Sequence, residues 1–245
     1  MLLCDIHCHL LPGLDDGAFL TDESLLMAEI AAKHRTRTLV CTPHWVPGGY
    51  TQSELIRTYR ELNRQIAERK IPVKLALGQE ILMDESFRQT TELLEKSILL
   101  TLNRTVYPLI EFHPFIREQS AYEIVSLLVS RGFKPIVAHP ERYAFTDEDH
   151  RTLEKLRAAG ALLQMNKGSL SGFFGREAQR TADYMLRKRI ADFTASDAHS
   201  PYRRTPLMSE AHEYVSEYCS PEYADHIFAH NPIRVLRNET VHPYY

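Results

Sequence analysis

The run Leu2-Leu3-Cys4-Asp5-Ile6-His7-Cys8-His9 opens the chain as an apolar strand with polar side chains at alternate positions. Successive side chains of a β-strand turn to opposite faces, so Asp5, His7 and His9 share one face. Two imidazoles spaced this way lie roughly 7 Å apart along the strand, close enough to grip one ion. Buried polar groups need partners, so their presence on a strand this apolar points to a site. His-x-His alone is a weak signal, and the rest of the chain decides its meaning.

Further apolar runs read as strands at residues 38–42, 73–78, 106–112, 135–138, 161–165 and 190–195. Helical patterns lie between them at 22–34, 53–69, 86–95, 121–131, 147–159 and 175–188, with another at 206–218. Seven strands alternating with helices predict parallel βαβ units, in an open doubly wound sheet or a closed barrel. The polar residues separate these two. Thr42-Pro43-His44, Gly78-Gln79-Glu80, Leu109-Ile110-Glu111, Ala138-His139-Pro140-Glu141-Arg142 and Ser196-Asp197-Ala198-His199 each place a ligand-capable side chain at the end of an apolar run. An open sheet would gather such residues at one switch point, whereas the strand ends of a barrel converge on one mouth. The expectation is therefore a (β/α) barrel, with seven strands instead of eight. No Gly-rich phosphate loop follows the first strand, which argues against nucleotide binding. A single one of these residues could be a satisfied core histidine, or in the case of Asp197 a helix cap. Their recurrence at one structural position points to metal, and mixed His and carboxylate ligands suit Mn, Fe or Zn.

Composition sets the outer bounds. The 245 residues, 44% hydrophobic and 25% charged, are ordinary for a globular chain. The barrel reading makes residues 1–245 a single domain. A net charge of -3 offers no basic patch for nucleic acid and no polybasic membrane segment. No apolar run approaches the roughly 20 residues of a membrane span. The N-terminus MLLCDIHCHLLPG has no basic region and carries Asp5 inside its apolar stretch, so the expected location is cytoplasmic. Cys4, Cys8, Cys41 and Cys219 form no CxxC pair, and the first three read as small buried hydrophobes. A cysteine-based phosphatase needs an arginine six residues after its thiolate; those offsets hold Leu10, Leu14, Pro47 and Asp225. That chemistry is excluded.

The ordered set H-x-H, PH, E, E, H, D-x-H resembles the polymerase-and-histidinol-phosphatase (PHP) superfamily. DIHCHLLPGLDDGA, TPHW, GQEI, LIEF, AHPERY, NKGSLSGFFGR, SDAH and the late NPIRVL resemble one branch closely. That branch is the bacterial protein-tyrosine phosphatases of capsule and exopolysaccharide loci. The match runs from about Leu3 to Leu236. The resemblance implies a distorted (β/α)7 TIM-like barrel of the PHP fold and about three divalent ions, with Mn first and Fe or Zn as alternatives. It implies that His7, His9, Glu80 and Asp197 hold one ion. Glu80, Glu111 and His139 would hold a second, with Glu80 bridging. His44 and His199 would hold a third with Asp16, Asp15 being the alternative. It further implies Asp16 as a catalytic acid, and Arg142 and Arg204 as anion clamps, Arg203 being able to replace Arg204. Arg176 fits a family motif in either a functional or a structural role. The implied substrate is a phosphotyrosine protein, the tail of a tyrosine autokinase.

Two other readings stay open: a small-molecule phosphatase of the same superfamily, such as histidinol-phosphate phosphatase, and a barrel that kept its fold but lost its chemistry. His113 shares a strand face with Glu111 but has no counterpart in the family motifs, so it does not read as part of the site. His34, His150, His212, His226, His230 and His242 read as surface residues, and Tyr244-Tyr245 as a frayed terminus.

Overall fold

The computed structural model describes residues 1–244, the Glu148 side chain excepted. Every strand pairing in it is parallel. Strand β1 (Leu3–Cys8) lies beside β2 (Thr36–Cys41), and β2 beside β4 (Lys74–Leu77). A second sheet runs in the order β3 (His44–Trp45), β5 (Glu80–Met83), β6 (Leu109–Phe112), β7 (Ile136–Ala138), β8 (Leu162–Asn166) and β9 (Phe193–Ala195). All the expected strands are present, most of them shorter than read. The short strands β3 and β5 were not expected. They resume β2 and β4 after breaks at Thr42-Pro43 and Gly78-Gln79, the first containing a proline that has no ladder donor.

On one side the chain itself joins the sheets, β2 running on into β3 and β4 into β5, and hydrogen bonds continue between the paired strands there. The Gly78 amide donates to Cys41 O at 2.9 Å and the Glu80 amide to Pro43 O at 3.2 Å. On the other side Asp197 N donates to His7 O and His9 N to Ala198 O, each at 2.9 Å, and Cys8 bridges Ala198 in parallel register. The backbone order therefore returns from the chain beyond β9 to β1.

Helices follow the strands with local signals at their ends. Helix α1 (Thr21–Lys33) has Asp22 and Glu23 in its first turn and Lys33 in its last, matching the helix dipole. Helix α2 (Gln52–Glu68) starts from a capping box of Thr51 and Glu54. Helices α3 (Phe87–Glu95) and α4 (Glu118–Ser130) follow β5 and β6. The single helix expected at 147–159 is two, α5 (Ala144–Glu148) and α6 (Arg151–Ala158). Asp149 separates them, and its Oδ1 accepts from the Arg151 amide at 3.0 Å. A short helix α7 (Lys167–Leu170) precedes α8 (Arg176–Arg187), and α9 (Ser209–Tyr218) follows β9. Helix α10 (Pro221–Asp225), a π-helical turn (His226–His230) and α11 (Asn231–Leu236) were not expected; the π turn packs against β1 and β9, α11 against β1, and α10 against α9.

Two residues read from sequence as surface or frayed are packed instead. His212 is buried, 2.8 Å from Asp225 and edge-on to Phe228, because α10 and the π turn cover it. Tyr244 is not frayed but lies against Tyr223, His226 and Arg189; Tyr245 lies outside the described residues. Cys4, Cys8 and Cys41 are buried as expected. The core is apolar to the ends of the strands: Leu109, Ile136, Ala138 and Ala195 are fully buried, and the polar side chains begin just past them.

Candidate metal centre

His7 and His9 leave β1 on one face, and the contacts behind each ring fix its orientation. His7 Nδ1 is 2.7 Å from Gln164 Oε1, and His9 Nδ1 is 2.6 Å from Asp15 Oδ2. These contacts turn both Nε2 atoms inward, to 3.1 Å from each other. An N–H held outward leaves a lone pair inward, the form a metal requires. Asp5, one step down the strand, serves the backbone instead, with Oδ1 accepting from the Ser196 and His7 amides.

Glu80, at the start of β5, is the hub. Its Oε2 stands 3.0 Å from His7 Nε2, 3.2 Å from His9 Nε2 and 3.2 Å from His44 Nδ1. Even so, this buried oxygen has no hydrogen bond of proper geometry. An orphaned carboxylate oxygen among imidazole nitrogens is expensive, and a cation would satisfy all of them. Asp197 Oδ1 lies 3.5 Å from each of the two β1 imidazole Nε2 atoms.

The ligand atoms fall into three groups, each within 4.8 Å: His7, His9, Glu80 and Asp197; His9, Asp16, His44 and His199; and His44, Glu80 and Glu111. The first group has the membership expected from sequence. In the second, His9 joins the expected trio. In the third, His44 takes the place expected for His139, whose Nε2 nonetheless lies 2.9 Å from Glu80 Oε1 and 3.8 Å from Glu111 Oε2. Asp15 and Asp16 separate cleanly. Asp15 is a brace, holding His9 and accepting from the His44 amide at 2.8 Å. Asp16 is largely exposed and faces His199 Nε2 at 3.4 Å and His44 Nε2 at 3.7 Å.

The charges are balanced locally. Burial opposes charge on His44, but the Glu111 hydrogen bond and the Glu80 charge outweigh it and push its pKa up to about 9. Burial likewise opposes charge on Asp197, and the imidazoles of His7 and His9 overcome it, holding the carboxyl far below the usual range. His139 and Asp197 take left-handed backbone, with φ of 35° and 50°. Such positions cost about 1–3 kcal/mol and concentrate at functional sites.

Arg142 and Arg204 reach the same carboxylate. Arg142 donates to Asp197 Oδ2 at 3.1 Å, Arg204 forms an ion pair with the same oxygen at 2.5 Å, and Asn166 Nδ2 donates to it at 2.6 Å. The sequence offered them as free clamps, whereas the structure rests them on a ligand carboxylate. Arg203 turns away, over the Phe173 ring at 5.5 Å. Arg176 opens α8 in an exposed position, and exposed His113 accepts from the Phe115 amide. Gln164, Asn166 and the bracing role of Asp15 were missed. Only alternation along β8, which puts Gln164 and Asn166 on one face, could have suggested two of them.

Fold and site together define a parallel α/β protein with a candidate multi-cation centre at its strand ends. The family profile "Capsular polysaccharide synthesis, CpsB/CapC" matches residues 3–237, and the chain belongs to that family. It is 34% identical to the tyrosine-protein phosphatase YwqE of Bacillus subtilis (strain 168), over 98% of this chain and 93% of that one. It is 27% identical to the tyrosine-protein phosphatase CpsB of Streptococcus pneumoniae, over 98% and 100%. A solved structure from the work on YwqE and CpsB, described as unique metal-dependent tyrosine phosphatases, superposes with a TM-score of 0.90 at 32% identity, covering 99% of this chain and 97% of that one. A dihydropyrimidinase from Brevibacillus agri NCHU1002 superposes with a TM-score of 0.61 at 11% identity, over 98% of this chain and 72% of that one, a likeness of fold alone.

Proposed function

We propose that this protein is a metal-dependent protein-tyrosine phosphatase that hydrolyses phosphotyrosine on the tail of a bacterial tyrosine autokinase controlling capsular or exopolysaccharide synthesis. One observation carries the chemistry: nine His, Asp and Glu side chains from six strand ends and the loops that follow them gather in one cluster, an orphaned Glu80 oxygen among them, beside two guanidiniums. The names of the family relatives supply the substrate class. The strand order, with strands running on between the sheets on one side and hydrogen bonds joining them on the other, supports reading the fold as a distorted (β/α)7 barrel and residues 1–245 as one domain. No described helix is long and apolar enough to cross a membrane, which agrees with the proposed cytoplasmic location.

His7, His9, His44, Glu80, Glu111, His139, Asp197 and His199, with Asp16, would hold about three divalent ions, Mn first and Fe or Zn as alternatives. Such ions supply a water of lowered pKa and neutralise phosphoryl charge. The chain's residues do the rest. Gln164 and Asp15 fix the imidazole tautomers. Arg142 and Arg204 present guanidinium donors for a phosphate oxygen. Asp16 is the exposed carboxylate at the mouth, held ionised by its His199 contact, and is placed to receive or return a proton. Phenol has a pKa near 10, so its departure as phenolate asks little of an acid.

The test compares turnover of phosphotyrosine peptides and histidinol phosphate by Mn-loaded enzyme, with metal content measured alongside. Strong preference for the peptides is expected. Preference for histidinol phosphate would overturn the reading, and a chain binding well under one ion after Mn incubation would make it a binding module.

A further inference from the structure

The loop Gly172-Phe173-Phe174-Gly175 belongs to none of the ligand groups, yet it touches both proposed clamps. The Arg142 guanidinium carbon lies 4.5 Å from the centre of the Phe174 ring, and that of Arg204 lies 5.5 Å from the same ring. On their other side both guanidiniums meet a single oxygen, Asp197 Oδ2. One carboxylate charge serves two cations there, so one positive charge of the pair is left over. The negative face of an aromatic ring answers that charge. Arg204 Nε is also buried without a hydrogen-bond partner, so packing, not a full donor set, holds this side chain.

The loop is built to keep the ring still. Gly172 and Gly175 take φ of 75° and 97°, which a side chain would resist. The Gly172 and Phe173 amides bond back to Ser169 O and Gly168 O. A Cβ on Gly168 would meet Phe174 Cε2 at 2.7 Å, so the ring is wedged against α7. Phe173 packs edge-on to Phe174 at 5.0 Å and carries Arg203 on its own face.

We propose that Phe174 is a positioning residue for phosphate binding, the shared aromatic platform that sets the spacing and angle of the Arg142 and Arg204 guanidiniums. The inference rests on the phosphatase reading of the site. Phosphate recognition by two planar forks depends on their mutual angle. Loss of the π face should therefore weaken phosphate binding while leaving the fold and the ions in place.

The experiment uses the full-length, Mn-saturated protein and measures aryl phosphate kinetics, the inhibition constant of inorganic phosphate, Tm and metal content. Phe174→Leu is expected to raise KM and the phosphate inhibition constant about fivefold to thirtyfold, as two lost cation–π contacts imply. Phe174→Tyr and Phe174→Trp, which keep a π face, should stay within about threefold of wild type. A fluorinated phenylalanine series at position 174 keeps the ring's shape while draining its face of charge. Phosphate affinity should fall with each added fluorine at constant Tm, which a packing role would not produce. A flat response to fluorination, or wild-type phosphate affinity in Phe174→Leu, would overturn the inference. A wild-type enzyme that neither cleaves aryl phosphates nor binds inorganic phosphate would instead overturn the phosphatase reading beneath it.

Discussion

Asp197 divides its carboxylate between two sets of partners. Oδ1 faces His7, His9 and His199, while Oδ2 accepts from Arg142 and Asn166 and forms an ion pair with Arg204. An arginine is no metal ligand, so the sequence suggests that clamp variants keep their ions. The shared carboxylate changes that expectation, because partners that orient a ligand typically carry about 10–100-fold in metal affinity or activity. Arg142→Ala should lose a charge-assisted phosphate contact of about 1.5–3 kcal/mol, a tenfold to hundredfold fall in kcat/KM. It should also weaken metal binding measured against a competing chelator. Wild-type values in both assays would place the clamp elsewhere. His44 sets a second expectation. Its ring titrates at 6.5 when free and at about 9 in the metal-free fold. A raised imidazole pKa adds stability that is complete below pH 6.5 and is lost as pH rises through 9. Thermal melts of chelated protein should show Tm falling across that window, and melts of Mn-loaded protein should not. A chelated protein equally stable at pH 6.5 and pH 9 would contradict the Glu80 and Glu111 contacts assigned to this ring.

Each element contributes a strand end and the loop that follows it, and the sequence reveals the first better than the second. Asp5, His7 and His9 were legible because β1 alternates with period two and is otherwise apolar. Glu111 and His139 were legible because each follows hydrophobic residues directly. The strand breaks were harder, since Pro43 and Gly78 interrupt runs that resume only as the short β3 and β5. The braces were hardest. The contact of Gln164 with His7 spans 157 residues, and that of Asn166 with Asp197 spans 31; no local pattern encodes pairs so distant in sequence. The loop from β1 to α1 makes this dependence testable. A Cβ on Gly17 would lie 2.3 Å from His9 O and 2.5 Å from His9 Cβ, so only glycine lets the loop fold back over the strand end. Gly17→Ala should push the loop outward, carrying Asp15 away from His9 and the His44 amide. Asp15→Asn, which keeps the shape and loses the charge, should cost about 10–100-fold in metal affinity or activity. Gly17→Ala should cost at least as much by calorimetric metal titration. A Gly17→Ala protein with wild-type affinity would show that the loop braces nothing.

The whole molecule closes around its candidate ions. Side chains from β1, β3, β5 and β6 and from the segments after β7 and β9 meet within one small volume, so the same groups that would bind metal tie the two sheets together. Five carboxylates gather there, Asp15, Asp16, Glu80, Glu111 and Asp197, most of them buried or half-buried. The imidazoles of His7, His9 and His44, their pKa raised by the neighbouring carboxylates, and the two arginines offset that charge in the metal-free chain, and cations would offset it in the loaded one. Anything that binds the folded state alone stabilises it by mass action, about 2.7 kcal/mol for one site at a hundredfold excess over Kd. For a chain of this size each kcal/mol moves Tm by roughly 2–4 °C. Chelation should therefore lower Tm by about 5–11 °C for each ion so bound, and Mn should restore it. The loss should register at the strand ends first. Amide exchange is expected to accelerate at Asp197 and His9, whose amides bridge the two sheets, and at Gly78 and Glu80, whose amides bond where β2 and β4 run on into β3 and β5, while the amides of α4 and α8 keep their protection. If chelated and Mn-loaded protein melted together with identical exchange at those four amides, ions would not be what holds this ring of strand ends, and the convergence of His, Asp and Glu would need another cause.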